Sequence, residues 1–231
     1  MASDSIDDLA KMFDHSLLQP TLTDADLERG FEVARQYNVA SVCVKPYGVK
    51  RAAAALLGSG VHVGTVIGFP HGGHLSPVKT FEAEAAIADG AVELDMVVNI
   101  GKVLSREYGD VADDIAAVIE PAHKYGARVK VIFENCFLQD EHKIELCRIC
   151  GELQADWVKT STGYGDSGAT DHDLTLMRKH SPPYVQVKAA GGVRTYDRVL
   201  AVRALGVTRI GATATKAILD ECRQRIAATK S

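Results

Sequence analysis

Two short stretches end in a lysine followed by a glycine loop. One is Trp157-Val158-Lys159-Thr160-Ser161-Thr162-Gly163-Tyr164, the other Val185-Gln186-Val187-Lys188-Ala189-Ala190-Gly191-Gly192. Each reads as a buried strand that carries one ammonium group to its C-terminal end. Burial and a second nearby cation both disfavour protonation of an amine, which exposes a nucleophile. A matched pair points to Schiff-base chemistry on a carbonyl. The bland alternative is two unrelated lysines reaching the surface from strand ends. The residue types alone do not say which lysine would be the covalent one.

Schiff-base chemistry also needs proton traffic, which a carboxylate beside an amine can carry. Asp95 lies in Val92-Glu93-Leu94-Asp95-Met96-Val97, where strand alternation puts Glu93, Asp95 and Val97 on one side. Other polar residues at expected strand ends are Asp14, Cys43, Lys45 and Glu134. Gly191-Gly192-Val193-Arg194-Thr195 and Gly211-Ala212-Thr213 each precede a helix. Backbone N–H groups there suit a phosphate, and Gly163 is a further contributor.

Something must bring these residues together. The chain has 231 residues, 46% hydrophobic, with a formal charge of -4. Thr23-Asp24-Ala25-Asp26 opens a helix that runs to about Tyr37, with Thr23 as N-cap. Continuous apolar runs mark strands at 12–18, 40–44, 61–67, 92–97, 129–133, 157–160, 185–189 and 208–210. Helices are expected between them, including one from Pro46 to Leu57, a helical region that follows a loop at Asn99-Ile100-Gly101 and ends near Tyr125-Gly126, and one opened by Thr170 or Asp171. Such runs suit parallel strands covered on both faces. Eight strand–helix alternations without a linker predict a single (β/α)8 TIM barrel over residues 1–231, α/β in class, with a short N-terminal helix over residues 5–12. The alternative is an open doubly wound sheet. In a barrel the strand C-termini share one mouth.

The remaining signals exclude more than they suggest. Mild acidity gives no footprint for nucleic acid, and no apolar run is long enough for a membrane span. Met1 to Asp8 is polar and acidic, unlike a signal peptide. Five scattered cysteines suit a reducing, cytoplasmic setting. Gly163-Tyr164-Gly165-Asp166-Ser167-Gly168 matches the GxGxxG spelling, but no strand-ending acid follows about 20 residues later, as a dinucleotide site requires. Cys147 and Cys150 have CxxC spacing on an expected outer helix and read as buried thiols. His71 and His74 lack further ligands at metal-site spacing. No metal or other cofactor is expected.

Several blocks, in order, resemble the deoxyribose-phosphate aldolase family: Asp14-His15-Ser16-Leu17-Leu18, Ser41-Val42-Cys43-Val44, Thr65-Val66-Ile67-Gly68-Phe69-Pro70, Glu93 through Gly101, Val158 through Gly165, and Val187 through Thr195. The resemblance implies a class I aldolase without a metal, reversibly cleaving 2-deoxy-D-ribose 5-phosphate to acetaldehyde and D-glyceraldehyde 3-phosphate, a lyase of deoxyribonucleotide catabolism and carbohydrate degradation. It makes Lys159 the Schiff-base lysine, Lys188 its pKa-perturbing partner, Asp95 the general acid/base and Asp14 the support for Lys188. The glycine loops and the match together give Cys43, Thr162, Gly163, Gly191, Gly192, Val193, Arg194, Gly211 and Thr213 as the substrate- and phosphate-binding set. A sugar phosphate and an aldehyde are the expected partners, and a homodimer the expected assembly. The chain departs from the family pattern at Lys45, Asn135 and Ala214, in its His71-Gly72-Gly73-His74 loop, and in ending Ala227-Ala228-Thr229-Lys230-Ser231 without a tyrosine. The alternatives are a sugar-phosphate-binding barrel without turnover, and a barrel isomerase or synthase acting on a phosphorylated metabolite.

Overall fold

The computed structural model describes residues 5–229. Met1 to Asp4, Lys230 and Ser231 lie outside the described residues, and with them the first half of the polar start and the last two residues of the tail. Eight parallel strands form a closed barrel in sequence order: β1 (Phe13–Leu17), β2 (Ser41–Val44), β3 (His62–Ile67), β4 (Glu93–Val97), β5 (Arg128–Ile132), β6 (Trp157–Lys159), β7 (Gln186–Ala190) and β8 (Arg209–Ala212). Closure comes from the pairing of β1 with β8, Asp14 opposite Gly211. The open doubly wound sheet is therefore excluded.

Helices α1 (Ile6–Ala10), α2 (Asp24–Tyr37), α3 (Val49–Ala55), α4 (Ser76–Ala88), α5 (Ile100–Leu104), α6 (Tyr108–Lys124), α7 (Asp140–Glu152), α8 (Asp171–His180), α9 (Tyr196–Ala204) and α10 (Thr215–Thr229) occupy the connections and the N-terminus. Local chemistry sets their ends. Thr23 caps α2 in a reciprocal box with Asp26, and Thr170 and Thr195 cap α8 and α9. Two expected helices differ from the sequence reading. The expected loop at Asn99-Ile100-Gly101 instead opens α5, with Asn99 as its cap, and the helical region is two helices, broken where Arg106 turns left-handed at φ 59°. Pro46 starts a 3-10 turn, Pro46–Gly48, before α3 begins.

The strands present two different faces. Val42, Val44, Leu94, Met96, Val129, Val131, Val158, Val187 and Ile210 join the helices in one apolar core. The alternate residues point inward, where the barrel is charged rather than oily. Trp157 lines its floor, with Arg209 4.9 Å, Arg128 5.0 Å and Lys130 5.6 Å from the ring centroid.

Buried ion pairs also lie outside the barrel interior, and one of them joins α4 to α6. Lys79 on α4 donates to the Val97 carbonyl at 2.8 Å and to Asp114 on α6 at 2.5 Å. Ser76 also donates to Asp114, at 2.8 Å. Lys79→Met would strand a buried carboxylate and a strand-end carbonyl, which costs about 3–5 kcal/mol. Thermal unfolding should therefore move down by roughly 10 °C, with turnover per folded molecule unchanged; an unmoved midpoint would mean that water replaces the ammonium group.

Candidate active site

Asp14, Asp95, Lys159 and Lys188 meet inside the barrel, all buried. Strand register explains the meeting. Lys159 lies opposite Lys188 on β6 and β7, so their side chains rise side by side. Both reach one oxygen: Lys159 Nζ is 2.8 Å and Lys188 Nζ 2.7 Å from Asp95 Oδ2. Lys188 also donates to Asp14 Oδ2 at 2.5 Å, and Ser41 donates to Asp14 Oδ1 at 2.6 Å.

Two cations of this network were not singled out in the sequence. Lys130 lies opposite Asp95 on β5 and bridges Asp95 Oδ1 at 2.8 Å and Glu93 Oε2 at 2.6 Å. Arg209 on β8 binds Asp14 Oδ1 at 2.5 Å and Glu93 Oε2 at 2.9 Å. Alternation in Arg128-Val129-Lys130-Val131-Ile132 was the available signal for Lys130. For Arg209 the signal was weaker, because its strand was expected to be only three residues long.

The charges do not balance. Three buried carboxylates (Asp14, Glu93, Asp95) face four buried cations (Lys130, Lys159, Lys188, Arg209). Burial alone would lower Lys130, yet Asp95, Glu93 and Asp14 outweigh it and hold that ammonium above the ordinary lysine value. Burial likewise opposes charge on Lys188, but Asp14 and Asp95 more than restore it. Lys159 is the exception. Its burial outweighs the single carboxylate Asp95, Lys188 adds repulsion, and its amine is held below the ordinary value. A neutral Lys159 leaves three cations against three carboxylates. Asp95 resists ionisation through burial, but Lys130, Lys159 and Lys188 overcome this and hold its carboxyl well below the usual range. The arrangement offers one unprotonated amine beside a carboxylate that hydrogen-bonds a second, protonated lysine.

Above the network lies a cavity of about 320 Å³, lined by Asp14, Lys159 and Lys188 and by all nine residues of the expected substrate- and phosphate-binding set. Ser16, Leu18, Gln19, Pro20 and Tyr164 also line it, none of which had been assigned a role. Asp95 lies beneath this lining. Burial pushes the Cys43 thiol up to about 12, so it serves as a neutral wall residue packed with Leu18, Val66 and Phe69. Gly191 and Gly192 are left-handed, at φ 79° and 86°, and precede α9. Gly211 and Thr213 precede α10, whose first residue Thr215 is anchored to the Ala212 carbonyl at 3.1 Å and to His15 Nδ1 at 3.0 Å. Two helix N-termini thus face the cavity edge, a setting for an anion.

Two strand-end residues do not join the lysines. Lys45 turns outward, its ammonium donating to the Gln19 carbonyl at 2.8 Å and sitting 5.4 Å from the centroid of the Tyr47 ring. The α2-side loop offers it carbonyls and an aromatic face, whereas the mouth already holds an excess of cations. Glu134 faces the β6 loop. His71 and His74 are exposed. Asp140, His172 and Asp173 do cluster, but Lys143 sits between the two acids, 3.3 Å and 2.6 Å away, where a metal would have to bind. Cys147 and Cys150 are buried free thiols.

The GxGxxG spelling has a packing explanation. Gly163 is left-handed at φ 91°. A Cβ at Gly165 would lie 2.6 Å from Cys136 Sγ, and one at Gly168 would lie 2.3 Å from the Gly191 carbonyl oxygen. Gly163 serves a left-handed turn, and Gly165 and Gly168 serve loop packing around the site.

Residues 8–218 match the family model described as DeoC/LacD family aldolase. A deoxyribose-phosphate aldolase of Rhodopirellula baltica is 58% identical over 226 residues, 98% of this chain and 94% of that protein. One from Thermococcus gammatolerans is 47% identical over 218 residues, 94% of this chain and 97% of that protein. A structure described as a unique tetrameric structure of deoxyribose phosphate aldolase from Aeropyrum pernix superposes with a TM-score of 0.89 at 29% identity, covering 96% of this chain and 93% of the other.

Proposed function

Because the chain belongs to the DeoC/LacD family of aldolases, we propose that it reversibly cleaves 2-deoxy-D-ribose 5-phosphate to acetaldehyde and D-glyceraldehyde 3-phosphate through a Schiff base on Lys159. The observation that carries the assignment of the nucleophile is the charge imbalance: of four buried cations, Lys159 alone is held below its ordinary pKa.

The neutral Lys159 amine attacks C1 of the open-chain sugar, and the carbinolamine oxygen leaves as water. The resulting iminium withdraws electrons from C2. Removal of the proton from the C3 hydroxyl then breaks the C2–C3 bond, releasing the phosphorylated aldehyde and leaving an enamine. Protonation of the enamine and hydrolysis of the iminium free acetaldehyde and regenerate the amine. Asp95 and Lys188 supply and accept these protons, since Asp95 Oδ2 accepts from both Lys159 Nζ and Lys188 Nζ. Asp14 holds Lys188 in place. The glycine loops, Arg194 and Thr213 hold the phosphate at the opposite rim. This division disfavours a binding barrel without turnover, which would have no use for a destabilised buried charge, and an isomerase or synthase, which would need no neutral lysine.

The test is borohydride reduction with acetaldehyde, followed by intact mass and peptide mapping. An ethyl adduct on Lys159 is expected. An adduct on Lys188 would exchange the two roles, and no adduct would overturn the Schiff-base reading. For the phosphate rim, Arg194→Ala should raise KM for the 5-phosphate by about ten-fold. The same change should leave cleavage of unphosphorylated 2-deoxyribose unaltered; an equal loss on both sugars would remove Arg194 from phosphate binding.

A cytoplasmic setting is supported by five free cysteines, and no helix among the described residues is long and apolar enough to cross a membrane. We also infer self-association as a homodimer. Leu75, Val78 and Phe81 leave an exposed apolar stripe at and along α4. Light scattering on the purified chain tests it, with a monomer as the refuting result.

A further inference from the structure

Glu134 follows β5 and adopts the left-handed backbone conformation, φ 57°, which strains any residue with a Cβ. It is 2% exposed. Unlike Asp14, Glu93 and Asp95, its carboxylate meets neutral donors rather than a cation. Oε1 accepts the Thr162 N–H at 3.1 Å, and Oε2 accepts the Thr162 hydroxyl. Thr162 Oγ1 accepts the Tyr164 N–H at 2.9 Å, and the Tyr164 hydroxyl donates to the Leu18 carbonyl at 3.0 Å. The Tyr164 ring meets Phe69 edge-on, 5.5 Å between centroids. One buried carboxylate thus begins a chain of contacts from the end of β5, across the β6 loop, to the loop after β1.

That chain runs along the cavity wall, where Thr162, Gly163, Tyr164 and Leu18 are lining residues. The N–H and the hydroxyl of Thr162 are both committed to it, so these groups act as a joint rather than as ligands for substrate. Gly165 packs on the Glu134 carboxyl, since a Cβ there would lie 3.2 Å from its Cδ. Further along, the Ala169 N–H is shared between the Ala190 and Gly191 carbonyls at 3.1 and 3.0 Å, and Gly168 presses on Gly191. The β6 loop is held between Glu134 on one side and the β7 glycine loop on the other. Lys159 itself is fixed separately, by strand pairing: its carbonyl accepts from Phe133 N–H, and Thr160 N–H donates to the Lys188 carbonyl.

We propose that Glu134 is a positioning residue for the phosphorylated-aldehyde side of the cavity. It sets the wall at residues 162–164 and, through the β6 loop, the seat of the glycine loop, and leaves the chemistry at Lys159 untouched. This rests on the aldolase reading given above. The strain at Glu134 is the cost of aiming a carboxylate sideways into a loop instead of into the barrel.

Steady-state kinetics on the full chain, with 2-deoxyribose 5-phosphate, test the proposal in Glu134→Gln, Thr162→Val and Thr162→Ser. Glu134→Gln leaves one acceptor oxygen for two donors, and Thr162→Val removes the hydroxyl. Each should raise KM by roughly 10- to 100-fold, as misplacement of a positioning wall does, with kcat within about threefold of wild type. Thr162→Ser should bring KM back towards wild type relative to Thr162→Val. Acetaldehyde should still be trapped on Lys159 by borohydride in all three. A fall in kcat with KM unmoved, or a serine variant as impaired as the valine one, overturns the proposal. If Glu134→Gln does not fold, the Thr162 pair decides the matter by the same criteria. Absence of trapping in the wild-type chain overturns the aldolase reading and this proposal with it, whereas intact trapping with unchanged KM overturns this proposal alone.

Discussion

Lys159→Met should lose turnover by roughly 10⁴-fold or more, because it removes the atom that forms the covalent intermediate. It should also abolish the borohydride adduct. The fold is expected to survive, and the charge balance says why. Lys159 is the surplus cation among four facing three carboxylates, and Met fills nearly the same space without a charge. Asp95 keeps Lys130 at 2.8 Å and Lys188 at 2.7 Å, so no buried carboxylate is left unpaired. Stability measured by thermal unfolding should therefore stay the same or rise, a result that removal of any other network cation would not give. Residual turnover within about 100-fold of wild type would move the covalent role to Lys188.

Lys188→Met should act through pH as well as rate. Lys188 lowers Lys159 by repulsion and competes with it for Asp95 Oδ2. Removing it takes away a cation and gives Lys159 a fuller share of a carboxylate. Both changes favour the protonated amine, so the Lys159 pKa rises. The alkaline rise of the kcat/KM profile should move to higher pH, and each unit of movement costs about ten-fold at neutral pH. Loss of the proton relay adds a further factor of roughly 10²–10⁴ at every pH. An unmoved profile would mean that burial alone tunes Lys159. The stability consequence has its own sign. Lys188 is held above the ordinary lysine value by Asp14 and Asp95 against its burial, so the stability it contributes is fully present below the ordinary lysine range. It is lost as pH rises through the folded value, so the gap between wild type and variant should narrow in strong alkali.

The barrel was legible because each of its units carries a local signal: an apolar run, a cap such as Thr23, Thr170 or Thr195, and a glycine or proline at the break. The helical region after Asn99 was misjudged for the same reason, since nothing in its composition announces the left-handed turn at Arg106. The sequence reading put the two lysines, Asp95 and Asp14 at strand ends, but only Lys159 ends its strand; Asp14, Asp95 and Lys188 lie within β1, β4 and β7, where alternation as in β4 turns them inward. Lys45 also stands at a strand end, but position did not reveal that its long stem would carry the charge outward to carbonyls of the loop after β1. Glu134 was expected at the mouth among the lysines, whereas its left-handed backbone turns it into the β6 loop.

The amino-acid sequence by itself determined the eight βα units, the strands that carry the chemistry-bearing residues and the glycine loops beside them. These are properties of short segments, set by side-chain periodicity and by backbone freedom over a few residues. Only the tertiary structure decided which of the two lysines is held below its ordinary pKa. That difference depends on the burial of Lys159, on Asp95 from β4, and on Lys188 and Cys43 beside it, while Asp14 from β1 helps to hold Lys188 charged. A pKa inside the barrel is a sum over charges a few ångströms away in space and as many as 195 residues apart in sequence. No local pattern contains that sum, and it exists only once β8 has closed on β1.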